Sequence, residues 1–95
     1  MIEWANQELY LSGKIDYHNA ETYYQRGLAE IQRHKTYPIV INLSKLEYSS
    51  TLTLAVLLQW LRQTPQAQGL VFKAVPEKLN KIIKSCHLLD DLQFA

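Results

Sequence analysis

The chain has 95 residues and a mass of 11.1 kDa, and 47% of its residues are hydrophobic, so it can build a core without disulfides or a structural metal. Ten Lys and Arg against nine Asp and Glu leave a net charge of +1 with no basic run, which argues against a nucleic-acid or membrane-surface binder. The sequence shows no signal-peptide pattern, no apolar run near the roughly 20 residues of a membrane span, and only one cysteine, Cys86. We therefore predict one small α/β or α+β domain over residues 1–95, cytoplasmic and without a cofactor.

The first third of the chain predicts a β-hairpin followed by a helix. Residues 7–12 alternate between polar and apolar side chains up to Gly13, and residues 2–4 can pair with them through a turn at Ala5-Asn6. Asn19 is a good N-cap for a helix over residues 19–34. The apolar side chains that recur at helical spacing in this segment are Ala20, Tyr23, Tyr24, Leu28 and Ile31.

The rest of the chain alternates between predicted strands and helices. The β-branched run at residues 39–43 is typical of a central strand buried on both faces, and residues 70–74 predict a second buried strand. A helix over residues 51–63 lies between them, and a further helix begins with Pro76 at its first position. Residues 88–94 predict a short turn or strand. The order indicates a mixed, mostly parallel sheet of four to five strands, with an antiparallel edge and three to four helices.

The middle helix, residues 51–63, carries almost no charge. Four leucines at i, i+3, i+4 and i+7 predict the side that faces the sheet: Leu54, Leu57, Leu58 and Leu61. At about 100° per residue, the opposite side holds Leu52, Val56, Gln59 and Gln63, with Ala55 and Trp60 on the flanks. Either the chain's own elements bury this second side, or it is an exposed apolar surface that docks on a partner protein. Few elements remain in so short a chain to cover it, so the pattern favours docking, and Trp60 is either an interface anchor or ordinary packing at the helix edge.

Hydroxyl side chains open the same helix. Ser50 or Thr51 can accept hydrogen bonds from the free N–H groups of the first turn. A hydroxyl at this end of a helix also suits phosphorylation, because the helix dipole favours negative charge there. Spacing alone favours the capping role over phosphorylation of Thr51 or Ser50.

The segment from residue 39 to residue 58 resembles the signature of STAS domains, the domains of sulfate transporters and anti-sigma-factor antagonists. Ile39-Val40-Ile41-Asn42-Leu43-Ser44 and Ser50-Thr51-Leu52-Thr53-Leu54 are similar to the family's strand, Asp-Leu-Ser loop and Asp-Ser/Thr-x-Gly-Leu helix start. Residues 9–16 and 75–82 are similar to the family's first strand and third helix. Within that family, the compact length and the helix ending in Leu57-Leu58-Gln59-Trp60-Leu61 most resemble MlaB-like subunits of the Mla phospholipid-trafficking ABC transporter.

This resemblance implies a non-catalytic cytoplasmic subunit, peripheral to the inner membrane. Such a subunit binds the ABC-transporter ATPase subunit, within a complex that includes a membrane permease, and supports its assembly and activity. In the family the interface lies at the start of the middle helix, which is the helix whose uncharged face stands out here. The predicted partner-binding residues are Ser50, Thr51, Leu52, Thr53, Ala55, Val56, Gln59 and Trp60.

Three positions depart from the family signature. Ser50 and Asn42 stand where the family has Asp, and Thr53 stands where it has Gly. Without that Asp and Gly, a phosphorylation loop of the anti-sigma type is disfavoured, and the changes indicate a constitutive docking subunit. The alternative function is an anti-sigma-factor antagonist regulated by Ser/Thr phosphorylation.

Other chemistry finds little support in the sequence. His18, His34 and His87 are scattered, and no two share one face of a helix at metal-ligand spacing. Cys86 has no evident base and orienting group to make it a nucleophile. We therefore expect neither a metal site nor catalysis.

Overall fold

A computed structural model describes residues 1–34, 37–64 and 69–95. Within these ranges, five strands form one sheet in the order β1-β2-β3-β4-β5, together with three helices. The elements are β1 (Ile2–Ala5), β2 (Glu8–Leu11), α1 (Ala20–His34), β3 (Ile39–Asn42), α2 (Thr51–Arg62), β4 (Leu70–Lys73), α3 (Glu77–Ser85) and β5 (Gln93–Phe94). The predicted α/β class, with a mostly parallel sheet, is confirmed.

The sheet combines one hairpin with three parallel crossovers. β1 pairs antiparallel with β2, while β2–β3, β3–β4 and β4–β5 are parallel pairs. Asn6 and Gln7 have φ values of 53° and 63°, the backbone of a type I′ hairpin turn, one residue later than predicted. Because strands β2 to β5 follow one another in order and such crossovers are right-handed, α1, α2 and α3 lie on the same face of the sheet.

The other face of the sheet is not covered by helices, which corrects the expectation of strands buried on both faces. Leu9, Ile41 and Phe72 point toward the helices and are buried, whereas Val40 and Val71, on the opposite face, are half-buried. The β-branched run of β3 indicates a strand, but it does not report how many faces of that strand are covered. The core therefore lies in a single layer between the sheet and the three helices.

Two predicted helix starts differ in detail. Asn19 precedes α1, but its Oδ1 accepts a hydrogen bond from the Asp16 backbone N–H at 2.8 Å, so its side chain stabilises the turn before the helix. Pro76 is the N-cap of α3 and has extended backbone with ψ of 148°, so it is not the first helical residue. In both cases the residue lies at the helix boundary as predicted, but its structural role differs from the predicted one.

The end of α3 is closed by a Schellman motif. The N–H of Leu88 donates to the Ile83 carbonyl at 3.1 Å, and the N–H of His87 donates to the Lys84 carbonyl at 3.0 Å. His87 itself has a φ of 59°, a left-handed conformation usually taken by glycine. This turn redirects the chain toward β5.

Candidate functional site

Ser50 is the residue that caps α2. Its backbone is extended, and its Oγ accepts a hydrogen bond from the Thr53 backbone N–H at 3.3 Å. Thr51 follows as the first helical residue, and it is exposed. The two hydroxyls considered for capping therefore have different positions: that of Ser50 is engaged in the cap, and Thr51 faces outward.

The buried side of α2 is rotated from the one predicted. Val56 is 5% exposed, so the expectation that it lies on a free face is wrong, and Trp60, expected on the flank, is 0% exposed. Thr53 is also fully buried, with its Oγ1 3.4 Å from Ser50 Oγ, and a partner cannot reach it in this fold. The reason is that α2 lies between α1 and α3, so neighbouring helices cover the sides that the sheet does not.

Trp60 is held by α1. Its indole N–H donates to the Tyr24 carbonyl oxygen at 3.0 Å. The ring lies directly against Gly27, where an added Cβ would be only 2.1 Å from Trp60 Cζ2. Of the two interpretations of Trp60, packing is therefore correct, and the glycine within α1 is required by the close approach of the two helices.

The outward face of α2 is narrow and uncharged along its first two turns. Thr51, Ala55 and Gln59 are exposed at successive i, i+4 positions, and Arg62 ends the row. Leu52, at the edge of this row, is half-buried and packs against the core. We call Thr51, Ala55 and Gln59 the α2 face.

A groove runs beside the α2 face, between α2 and α1. Its volume is about 350 Å³, and it is lined by Ala20, Glu21, Tyr24, Ala55, Val56 and Gln59. The three residues from α1 were not predicted for this site, because the helical periodicity places Ala20 and Tyr24 on the inward side of that helix. Both are half-buried, and only the packing of α1 on α2 brings them to the rim.

Two lysines and two tyrosines lie in front of the first turn of α2. Lys14 Nζ and Lys78 Nζ are 5.2 Å and 4.5 Å from the centre of the Tyr48 ring. Tyr48 is 45% exposed and Tyr17 is 92% exposed. We call Lys14, Tyr17, Tyr48 and Lys78 the lysine–tyrosine cluster. No periodic pattern predicts it, since its members come from two loops and a helix start.

Asn42, one of the departures from the family signature, belongs to a group of three polar residues on the open face of the sheet. Its Nδ2 donates to Glu8 Oε1 at 2.9 Å, and Lys73 Nζ is 2.9 Å from Glu8 Oε2. The hydrogen bond from Asn42 and then the contact with Lys73 lower the pKa of Glu8 below its ordinary value. An Asp at position 42 would place a second carboxylate against Glu8, so the amide suits this neighbour.

Within the described ranges, no three His, Cys, Asp or Glu side chains are grouped closely enough to hold a metal ion. Over the same residues, no helix has both the length and the apolar character needed to cross a bilayer.

Comparison with known proteins identifies clear relatives. A family model described as MlaB, STAS domain, matches residues 2–92. A chain of the Acinetobacter MlaFEDB complex in an ATP-bound Vtrans1 conformation is 55% identical over 100% of both chains, with a TM-score of 0.92. A chain of the same complex in an ATP-bound Vtrans2 conformation is also 55% identical, over 100% of this chain and 99% of that one, with a TM-score of 0.93. No curated protein sequence matches significantly.

Proposed function

The chain belongs to the MlaB group of STAS domains, and from that premise we propose that it is an accessory subunit of an Mla-type phospholipid-transporting ABC transporter. In this role it binds the ATPase subunit, supports assembly and activity of the complex with the permease, and catalyses no reaction itself. It resides in the cytoplasm, peripheral to the inner membrane through these partners. The resemblance to a chain of the MlaFEDB complex at 55% identity supports this assignment.

The observation that carries the docking proposal is the α2 face. Thr51, Ala55 and Gln59 are exposed, small or neutral, and free of charge, whereas the outer sides of surface helices are ordinarily charged. Uncharged surface is typical of the centre of a protein–protein interface, where burial of an unpaired charge would be costly. Ser50 and Leu52 are half-buried beside this face and contribute through the atoms that remain accessible.

A matched pair of alanine substitutions tests this surface. Ala55 lies on the α2 face, and Ala29 is an exposed alanine on the side of α1 away from the groove. Ala55→Glu should abolish co-purification with the ATPase and permease subunits coexpressed from the native host, because it introduces an unpaired charge into the interface. Ala29→Glu introduces the same charge and should co-purify like the unmodified chain.

Melting temperatures of the isolated variants complete this experiment. Both alanines are exposed, so both variants should melt near the unmodified chain. Equal co-purification of Ala55→Glu and Ala29→Glu would place the ATPase contact elsewhere. Failure of the unmodified chain to capture either subunit would overturn the accessory role.

Thr51 separates the docking role from the phospho-regulated alternative. Ser50 Oγ is used in the helix cap, so Thr51 is the accessible hydroxyl of the two. In a constitutive docking subunit, Thr51→Ser should bind normally, Thr51→Ala more weakly, and Thr51→Glu most weakly. Stoichiometric phosphate on Thr51 in protein from its native host, found by intact-mass analysis together with tighter binding, would favour the anti-sigma-type switch.

A further inference from the structure

The lysine–tyrosine cluster is continuous with the α2 face. A surface cavity of about 220 Å³ joins them, with Lys14, Tyr17 and Tyr48 on one side and Thr51 and Leu52 on the other. Ile15, Asp16 and Ser50 complete its lining. A protein docked on Thr51 and Ala55 would therefore also cover the cluster.

The two lysines of this cluster lack an acidic partner. The ion pairs of the described residues involve Arg33, His34, Lys73 and Lys81, and in none of them does a carboxylate lie within 4.0 Å of Lys14 or Lys78. Instead, both ammonium groups lie near the Tyr48 ring, so three separate segments place two positive charges around one aromatic side chain.

Two of the nearby carboxylates, those of Asp16 and Glu77, are engaged elsewhere. Asp16 Oδ1 accepts hydrogen bonds from the backbone N–H groups of His18 at 2.9 Å and Asn19 at 3.0 Å. Glu77 Oε1 is 3.7 Å from Lys81 Nζ. α2 adds no acidic residue in its first turn. Among the described residues, Lys14 and Lys78 are therefore ammonium groups at this end of the α2 face with no carboxylate within 4.0 Å.

We infer that the lysine–tyrosine cluster binds an acidic segment of the ATPase subunit, with Lys14 and Lys78 contacting its carboxylates and Tyr17 and Tyr48 packing against it. This inference rests on the proposed function, which supplies the partner. Charge complementarity is the argument for an acidic occupant, and exposed tyrosines are typical of protein interfaces. An anionic lipid surface is disfavoured, because such surfaces are bound by clusters of about four to eight basic residues and this cluster has two.

The experiment compares two charge reversals on the same helix. Lys78→Glu changes the cluster, while Lys84→Glu changes an exposed lysine six residues further along α3. Binding of each purified variant to the purified ATPase subunit is titrated at about 0.1 M and about 1 M salt, where the Debye length falls from about 10 Å to about 3 Å. At the lower salt, Lys78→Glu should weaken binding about tenfold or more, and the difference should shrink at the higher salt. Lys84→Glu should bind like the unmodified chain at both.

Zero-length crosslinking identifies the partner groups directly. A carbodiimide joins a lysine amine to a carboxylate as an amide, and the water removed is taken up by the reagent as a urea. Peptide mapping of the crosslinked complex should find Lys14 or Lys78 joined to an Asp or Glu of the ATPase. Exclusive crosslinking of other lysines would contradict the inference.

The remaining outcomes separate this inference from the proposal beneath it. If the unmodified chain binds the ATPase but Lys78→Glu binds as tightly as Lys84→Glu, the acidic contact is wrong and the accessory role stands. If the unmodified chain fails to bind the ATPase at either salt concentration, both the acidic contact and the accessory role are refuted. If Lys78→Glu loses adsorption to phosphatidylglycerol vesicles while it keeps its affinity for the ATPase, the cluster serves a lipid surface and the inference is overturned.

Discussion

Replacement of Gly27 by alanine tests the packing of α1 on α2. In an exposed helix interior, this substitution stabilises by about 1 kcal/mol, because alanine has the higher helix propensity. Here the added Cβ would be 2.1 Å from Trp60 Cζ2 and 2.4 Å from Trp60 Cε2. Real Cβ atoms do not approach other atoms so closely, so either the ring or α1 has to move.

The size of the effect follows from how firmly the ring is held. Trp60 is fully buried, and its N–H is bonded to the Tyr24 carbonyl, so a shift of the ring disturbs both the core and this hydrogen bond. Overpacking of a core costs about 1–3 kcal/mol and occasionally more. Because this clash is short, we expect its cost to lie at the upper end of that range. After the gain in helix propensity, we expect Gly27→Ala to lower the free energy of unfolding by about 1–3 kcal/mol. In a domain of this size, each kcal/mol corresponds to about 4–8 °C in melting temperature.

Urea and thermal unfolding followed by circular dichroism measure this change, and a double-mutant cycle with Trp60→Leu assigns it. Trp60→Leu should itself destabilise the fold, by less than the about 3–5 kcal/mol that replacement of a buried Trp by Ala costs. In the Trp60→Leu background the clash is gone, so Gly27→Ala should be neutral or stabilising. A Gly27→Ala variant that melts higher than the unmodified chain, or a cycle with no coupling, would refute the packing argument.

Two further substitutions test local features described above. His87→Gly should raise the free energy of unfolding by about 1 kcal/mol in urea titrations, because it relieves the left-handed backbone at the end of α3; a decrease would mean that the His87 side chain has stabilising contacts. Asn42→Asp should lower the melting temperature at pH 7, because it removes the hydrogen bond that lowers the pKa of Glu8 and sets a second carboxylate beside it. Because the pKa of Glu8 is lower in the folded state, ionised Glu8 stabilises the fold at pH values above its unfolded-state pKa. This stabilisation is lost as the pH falls through the folded-state pKa. The difference in melting temperature between Asn42→Asp and the unmodified chain should therefore shrink in acid. Glu8→Gln added to Asn42→Asp should recover part of the stability at pH 7, and a melting temperature independent of position 8 would contradict this coupling.

Much of the fold could be predicted from local patterns. The β-branched run before Leu43 and the alternation before Gly13 indicate strands because each reflects a backbone preference that the fold satisfies. The position of each helix also follows from capping residues and periodicity. Whether a strand has one covered face or two is set by the order of the strands in the sheet, since the crossovers share one hand, and no local stretch of sequence encodes that order.

The rotation of α2 about its own axis is the feature that the sequence predicted least well. Apolar side chains lie around most of this helix, so its periodicity is weak and the four leucines suggested a side rotated away from the true one. Leu54 and Leu57 are buried as predicted, but the buried face also includes Thr53, Val56 and Trp60. This extension arises because α1 packs closely against α2, which depends on Gly27, a residue far away in the sequence. The start of α2 as the candidate site came from its hydroxyl residues and the family resemblance, whereas Tyr24, Tyr48 and Lys78 come together only through tertiary packing.

The close packing of Trp60 against Gly27 affects how α2 can bind a partner protein. α2 is fixed in the core along its whole length, so Thr51, Ala55 and Gln59 are held in one arrangement before any partner arrives. Association on a preorganised surface loses little conformational entropy and proceeds nearly as the meeting of two rigid bodies. A variant that loosens the packing of Trp60 on Gly27 should therefore bind a partner of the α2 face less tightly, even though both residues are buried, because part of the binding free energy would then be spent on ordering the helix.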